Sequence, residues 1–337
     1  MPVLYRTYRP SSWSEVIGQD HIVDVLKQSI KLGHISHAYL FSGSRGTGKT
    51  SVARILATAL KTATEDIYEI DAASNRGIDD IRELREHVSV NPFSSPYKVY
   101  SIDEVHMLSK DAWNALLKTL EEPPKHVIFI LATTELDKVP DTIISRCQTF
   151  SFKKPSREIL RKQISSIASK EGYTLDAGAS DVIALLGDGS YRDALGILEK
   201  VISSSKDSKL NRADVEAITG APRATLVNSF LEHIIAKNTD GALKVLGEVE
   251  QSGISMNIFS VLMLEKARFI LLLQHSASSK ALVKERVSED DFVFIEAQAH
   301  KKVLTPHMLS LLLEAVAQVS RASIEVLPLE MAVVKMC

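Results

Sequence analysis

Apolar residues recur in two different rhythms along this chain, and the change from one to the other outlines its organisation. Between Ala38 and Phe152, short apolar runs alternate with stretches of helical spacing. The runs are Ala38-Tyr39-Leu40-Phe41, Ile67-Tyr68-Glu69-Ile70, Lys98-Val99-Tyr100-Ser101-Ile102, Val127-Ile128-Phe129-Ile130-Leu131 and Thr149-Phe150-Ser151-Phe152. Apolar strands separated by helices predict a parallel sheet covered on both faces. After Pro155 the strand signals stop, and helical spacing continues through Ile159, Leu160, Ile164 and Ile167, then Val182, Ile183, Leu185 and Leu186. This predicts a small helical unit that ends near Gly220-Ala221-Pro222, with residues 203–209 as a loop between its helices. From Arg223 the spacing stays helical, through Ile258, Val261, Leu262 and Leu264 and later Leu309, Leu312, Leu313 and Val316. Three units are therefore expected: α/β over 1–154, helical over 155–221, and all-helical over 222–337. The last apolar pattern, begun by Pro328, is still running when the sequence stops at Cys337.

A chain of 337 residues is long enough for two or three cores. With 45% hydrophobic and 24% charged residues it has the balance of an ordinary globular protein, so it is expected to fold. The formal net charge of −2 excludes a protein that coats nucleic acid through its overall charge, and any such contact must be local. Cys147 and Cys337 are the only cysteines, too few for a disulfide framework or a four-cysteine zinc site. The first nineteen residues carry Arg6, Arg9 and Glu15 and lack the unbroken apolar stretch of a signal sequence. The strongest apolar run, Phe269 to Leu273, is far too short to cross a bilayer, and a cytoplasmic protein is expected.

Candidate chemistry concentrates in two places. Gly43-Ser44-Arg45-Gly46-Thr47-Gly48-Lys49-Thr50 fits the P-loop pattern and lies between the strand ending at Ser42 and a helix predicted over 51–60, which opens with Ser51. In such a loop glycines let backbone N–H groups turn toward phosphate oxygens at a helix N-terminus. The lysine, here Lys49, reaches the β/γ-phosphates of ATP, and the hydroxyl of Thr50 ligates Mg²⁺. The third apolar run ends in Asp103-Glu104, which places two carboxylates at the carboxyl end of a buried strand, where open α/β sheets bind ligands. Asp103 is expected to hold Mg²⁺ and Glu104 to orient or deprotonate an attacking water. Arg146 and Arg192 are of the type suited to phosphate contact, although a lone arginine more often serves in a surface ion pair. Thr133 and Thr134 follow the fourth strand, and nucleotide contact and turn formation suit them equally.

Several segments together resemble the gamma/tau clamp-loader family of bacterial DNA polymerase III. They are Tyr5-Arg6-Thr7-Tyr8-Arg9-Pro10, the P-loop, Glu69-Ile70-Asp71-Ala72-Ala73-Ser74, Ile102-Asp103-Glu104-Val105-His106-Met107-Leu108, Leu116-Leu117-Lys118-Thr119-Leu120-Glu121-Glu122-Pro123-Pro124, Ser145-Arg146-Cys147 and Ser190-Tyr191-Arg192-Asp193-Ala194-Leu195. The resemblance runs from Met1 to Cys337 and implies an AAA+ protein: a RecA-like parallel-sheet ATPase domain, a helical lid, and an all-helical collar that holds subunits together. It further implies that Thr133 or Thr134 is the first sensor of the nucleotide, that Arg192 is the second, and that Val16-Ile17-Gly18-Gln19 packs near adenine. Arg146 matches an arginine finger that acts on a neighbouring subunit's ATP. Arg76, Arg82 and Lys110 match positions that face DNA, with a solvated helix face nearly as good an account of them, and Trp113 fits a clamp contact or the core equally.

The function so implied is ATP-dependent opening of a sliding clamp and its loading on primed DNA, as an ATPase within a DNA polymerase III holoenzyme. The implied partners are delta and delta prime subunits in a pentamer, the clamp, primed DNA, and a polymerase core where a C-terminal tail follows. The implied location is the nucleoid-associated cytoplasm, with no membrane. One departure is plain: the family's four-cysteine zinc module has no counterpart, since residues 61–66 alone bridge its position, so ATP and Mg²⁺ are expected and zinc is not. Two rivals are an AAA+ DNA motor of the branch-migration type and a polymerase scaffold subunit that does not hydrolyse ATP.

Overall fold

The computed structural model describes residues 3–74, 77, 81, 84, 86–205, 207–276, 278–287 and 289–337. They form two compact units, one of Met1–Ile159 with Gly189–Leu195, the other of Leu160–Asp188 with Gly196–Cys337.

The first unit is built on five parallel strands, β1 (Ala38–Ser42), β2 (Ile67–Asp71), β3 (Lys98–Asp103), β4 (Val127–Thr133) and β5 (Gln148–Ser151), in the order β2-β3-β4-β1-β5. Alternation along each strand fills both faces of the sheet. Tyr39, Phe41, Val99, Ile128, Ile130 and Phe150 meet Ile22 and Leu26 of α2 (Asp20–Leu32) and Val52 and Leu56 of α3 (Lys49–Ala59). On the opposite face Leu40, Tyr100, Ile102, Phe129 and Leu131 meet Trp113, Leu116 and Leu120 of α4 (Lys110–Glu121) and Ile143 of α5 (Asp141–Ile144). A single helical turn, α1 (Leu4–Thr7), precedes them. Tyr68, Tyr100 and Phe129 stack across three neighbouring strands, with ring centroids 4.9 and 5.7 Å apart. The ends of β1 and β4 stand level, since Ser42 pairs with Thr133, and Asp71 of β2 pairs with Asp103 of β3. That register brings the carboxyl ends of β1, β3 and β4 to one rim of the sheet.

The second unit is mainly helical: α6 (Arg157–Lys170, from Leu160 on), α7 (Ala177–Leu186), α8 (Tyr191–Ser204, from Gly196 on), α9 (Arg212–Thr219), α10 (Ala224–Ile235), α11 (Thr239–Gln251), α12 (Met256–His275), α13 (Ser279–Arg286), α14 (Glu289–His300), α15 (Pro306–Val319) and α16 (Leu327–Met336). It also holds a parallel pair, β6 (Thr174–Leu175) with β7 (Lys209–Leu210), which corrects the expectation that strands end before Pro155. Two-residue strands are too short to leave a periodic trace. Local chemistry sets the helix ends. Asn211 and Asp214 form a reciprocal capping box at the start of α9, and Gly220, at φ 72°, closes it in the left-handed conformation that glycine adopts without cost. On α12, Phe259, Met263, Lys266 and Ile270 are buried at helical spacing.

Lys266 does not lie among apolar groups alone. Its Nζ donates to Asp291 Oδ1 of α14 at 2.6 Å and to Asn228 Oδ1 of α10 at 2.6 Å. Arg212 of α9 donates to Asp291 Oδ2 at 2.7 Å and to Glu216 at 2.6 Å. Two cations and two carboxylates thus neutralise one another inside the helical unit. Burial works to raise the Asp291 pKa, but Lys266 and Arg212 outweigh it and hold the carboxyl below its ordinary range. No helix among the described residues is long and apolar enough to cross a membrane.

Candidate active site

The loop after β1 turns on glycines that no larger residue replaces without displacement. Gly43 has φ 145°, and a Cβ there would stand 2.5 Å from the Phe152 carbonyl oxygen. Gly46, at φ 72°, is pressed against Ser190, and its carbonyl accepts the Tyr191 N–H at 3.0 Å. Helix α3 starts at Lys49, two residues before its predicted start, so Lys49 and Thr50 both lie in its first turn. The Lys49 ammonium is buried and donates to the carbonyls of Gly43 at 2.6 Å and Ser44 at 3.0 Å. Burial pushes its pKa below the ordinary lysine value, Glu104 and Asp103 oppose that shift, and Arg192 adds to it. Thr47 Oγ1 donates to the Ser44 carbonyl at 2.8 Å, while Arg45 is exposed.

Across the rim, Thr50 Oγ1 donates to Asp103 Oδ2 at 2.8 Å. A hydroxyl and a carboxylate that meet this closely form the hard-oxygen donor pair that suits Mg²⁺, so the residues present fit that ion. Asp103 Oδ1 also accepts the backbone N–H of Glu104 at 3.0 Å. Glu104 sits at φ 47° in the left-handed region, which turns its side chain out of the strand direction, and Thr134 Oγ1 donates to its Oε2 at 2.9 Å. Thr133 bonds instead to the buried ring of His106, with Oγ1 3.0 Å from Nδ1. The structure therefore distinguishes the two threonines: Thr134 touches Glu104, and Thr133 touches His106.

Arg192 reaches this neighbourhood, as its charge acts on Lys49 and Arg9, and its guanidinium lies 5.9 Å from the centre of the Tyr5 ring. Val16 packs on the core of the same unit, and the Ile17 carbonyl accepts the Tyr191 hydroxyl at 2.9 Å. Burial pushes that hydroxyl's pKa up to about 12, so it remains a donor at neutral pH. Arg146 is engaged elsewhere, donating to Glu121 at 2.8 Å and to the Thr142 carbonyl at 2.7 Å. Lys110 is exposed at the start of α4, which Ser109 caps, and Trp113 is in the core. Arg76 and Arg82 lie outside the described residues.

Three further residues contact the loop or the segments that brace it: Arg9 and Tyr191, given no individual role from sequence, and Gln19, expected only as part of the stretch near adenine. Arg9 Nε donates to Ser51 Oγ at 3.2 Å, and its pKa is lowered by burial and by neighbouring Arg54. Gln19 Nε2 donates to the Lys153 carbonyl at 2.8 Å and to that of Thr47 at 3.5 Å. Tyr191 bridges Gly46 and Ile17.

A five-stranded parallel sheet with a P-loop after one inner strand and an Asp-Glu pair at the end of another defines a nucleotide-binding fold of the AAA+ class. Its likeness to the Thermotoga maritima RuvB Holliday junction branch migration motor is one of fold, with a TM-score of 0.54 at 23% identity over 68% of this chain and 79% of that one. Residues 18–76 and 60–156 match the sequence family described as DNA polymerase III, delta subunit. Residues 210–337 match domain III of DNA polymerase III subunits gamma and tau. DNA polymerase III subunit tau of Bacillus subtilis is 44% identical over 271 residues, which are 74% of this chain and 48% of the relative. The Escherichia coli subunit tau is 39% identical over 298 residues, 82% of this chain and 46% of the relative. The chain belongs to the DNA polymerase III gamma/tau family. It spans about half the length of the curated relatives it matches.

Proposed function

We propose that this chain is an ATP-hydrolysing clamp-loader subunit of DNA polymerase III, acting with delta and delta prime subunits in a pentamer to open a sliding clamp and load it on primed DNA. The observation that carries the reading is the meeting of Thr50 with Asp103 and of Thr134 with Glu104 beside the buried Lys49. On ATP binding, Lys49 exchanges its two loop carbonyls for phosphate oxygens, and the loop's backbone N–H groups from Gly43 to Thr50 line the same phosphates. Ser51, which follows Thr50 and accepts from Arg9 Nε, would contact the nucleotide beside them. Val16 and Ile17 pack near adenine. Thr50 and Asp103 would hold Mg²⁺, which supplies charge neutralisation on the phosphates when bound. Glu104 orients the attacking water and takes its proton, and Thr134, which already engages Glu104, is the better placed of the two first-sensor candidates.

Arg192 reports the nucleotide to the lid, in a division of the chain into an ATPase domain over 1–154, a lid over 155–221 and a collar over 222–337. Arg146 acts in trans: to reach a neighbour's nucleotide it leaves its exposed pairing with Glu121, a contact of the kind that costs little to break. Lys110, together with Arg76 and Arg82, meets DNA phosphates without sequence preference. ATP then works as a switch, with the bound state gripping the clamp and hydrolysis triggered by DNA releasing it.

The test compares two variants in the complex reconstituted with partner subunits, clamp and primed DNA. Lys49→Ala should lose ATP binding, whereas Glu104→Gln should bind ATP and stall. Equal loss of nucleotide affinity in both variants would remove Glu104 from the catalytic role, and turnover that ignores clamp and primed ends would remove the loader reading.

A further inference from the structure

His106 is among the most enclosed ionisable groups at the rim of the sheet, with a side chain 5% exposed, and the chemistry above gives it no task. It lies two residues past Glu104, in the turn Val105–Met107, and both ring nitrogens face partners. Nε2 is 3.1 Å from Glu135 Oε1. A carboxylate only accepts, so Nε2 carries a hydrogen. Nδ1 is 3.0 Å from Thr133 Oγ1 and 3.5 Å from Glu104 Oε2. Thr133 Oγ1 also accepts the Glu135 backbone N–H at 3.0 Å, which fixes the hydroxyl that meets Nδ1. The ring is thus met at both ends by the last residue of β4 and the segment that follows it, and one edge rests against Glu104. Thr134 meets Glu104 from the same segment and on the same oxygen, Oε2. Beyond the ring, Glu135 Oε2 pairs with Lys138 Nζ at 2.7 Å, in the exposed turn Leu136–Lys138 that leads into α5 and then to Arg146.

We propose that His106 is a positioning residue for Glu104: pinned between Thr133 and Glu135, its ring holds the glutamate in the orientation that activates water, and it ties that orientation to the Glu135–Lys138 turn. The proposal rests on the reading of Glu104 as the catalytic carboxylate. A buried histidine that only fills space would be missed through stability alone. A positioning histidine is missed in the rate, because a carboxylate displaced by a fraction of an ångström still permits nucleotide binding while it activates water poorly.

The experiment measures kcat and ATP affinity separately in the complex assembled with partner subunits, clamp and primed DNA, for wild type, Glu104→Gln, His106→Ala, His106→Asn and Glu135→Ala. Wild-type turnover and its loss in Glu104→Gln test the ATPase reading by themselves. Given both, His106→Ala should lower kcat by about 10- to 100-fold, the scale of a mispositioned catalytic group. Its ATP affinity should stay within about twofold of wild type, the signature of an interaction that serves the reaction and not binding. His106→Asn, which keeps a polar group near Thr133 and Glu104, should recover part of the rate. Glu135 is 42% exposed, so Glu135→Ala leaves the core untouched and is decisive even where His106→Ala folds poorly. It should also lower kcat, with an unchanged melting temperature. Wild-type kcat in Glu135→Ala, or a loss of kcat in His106→Ala matched by an equal loss of ATP affinity, would overturn the proposal.

Discussion

Replacing Gly46 by alanine tests whether the P-loop is held in shape from outside the loop itself. Two costs are expected, and they are separable. At φ 72° an alanine occupies the left-handed region, at about 1–2 kcal/mol. Its Cβ would also stand 2.9 Å from Ser190 Cβ and closer still to Ser190 Oγ. Carbon atoms prefer a separation of about 3.5–4.0 Å, and overpacking of this kind costs about 1–3 kcal/mol. Together the two come to about 2–5 kcal/mol, and at about 2–4 °C per kcal/mol for a domain of this size the first unit should melt about 4–20 °C lower.

Ser190→Gly removes both clashing atoms and leaves the Ser190 Cα at 3.4 Å from the new Cβ. Ser190 Oγ also accepts the Asp193 N–H at 3.2 Å, but exchanging a capping serine for glycine costs only about a few tenths of a kcal/mol. That single variant should be close to silent. In the double variant the packing share returns and the backbone share remains, so melting should recover by about 2–12 °C, with ATP affinity following it. Additive losses across the four proteins would refute the contact as the cause.

Mixing two inactive variants, Lys49→Ala and Arg146→Ala, in one assembly should restore part of the ATPase activity, because an intact P-loop then receives an intact finger worth about 10³–10⁵ in rate; co-assembly without recovery would place Arg146 in its own subunit's site or in none. Asp291→Ala, which leaves Lys266 and Arg212 buried without their shared carboxylate, should destabilise the helical unit by about 3–5 kcal/mol in thermal melting. Because the folded Asp291 carboxyl titrates below its unfolded value of about 3.9, wild-type stability from this group should be complete above that pH and decline as the pH falls through the depressed value, and Asp291→Asn should lack that decline. Burial pushes the Cys147 thiol up to about 12, so a thiol reagent at pH 8 should modify exposed Cys337 first, and equal rates would contradict the packing around Cys147. Elemental analysis should find no stoichiometric zinc, since these two cysteines are the whole supply; one zinc per chain surviving a chelator would contradict that.

What could be read from the sequence was what is local in it. Runs such as Val127 to Leu131 are apolar at every position because both faces of β4 are covered, and the strand continues through Ala132 and Thr133. The P-loop motif was legible for the same reason, since its glycines, lysine and threonine lie within eight residues. Arg9 bonds Ser51 across 42 residues, Gln19 bonds Lys153 across 134, and Tyr191 bonds Ile17 across 174. No spacing rule connects such positions, because the fold alone brings them together. His106 was hidden differently: it lies beside the recognised carboxylates, but its partners Thr133 and Glu135 arrive with another strand. Arg146 shows the reverse, a residue with a conspicuous sequence setting whose partner in the fold is the exposed Glu121.

The buried quartet of Arg212, Glu216, Lys266 and Asp291 also bears on which arrangement of helices this unit selects. Its apolar core is built largely of leucines, isoleucines and valines, whose attraction for one another is non-directional. A slide of one turn carries a side chain about 5.4 Å along the axis. Moved that far on α14, Asp291 would forfeit its contacts of 2.6 and 2.7 Å and leave two cations stranded in a dry interior. A slipped packing of these helices would thus carry a penalty that an apolar set of the same volume would not impose.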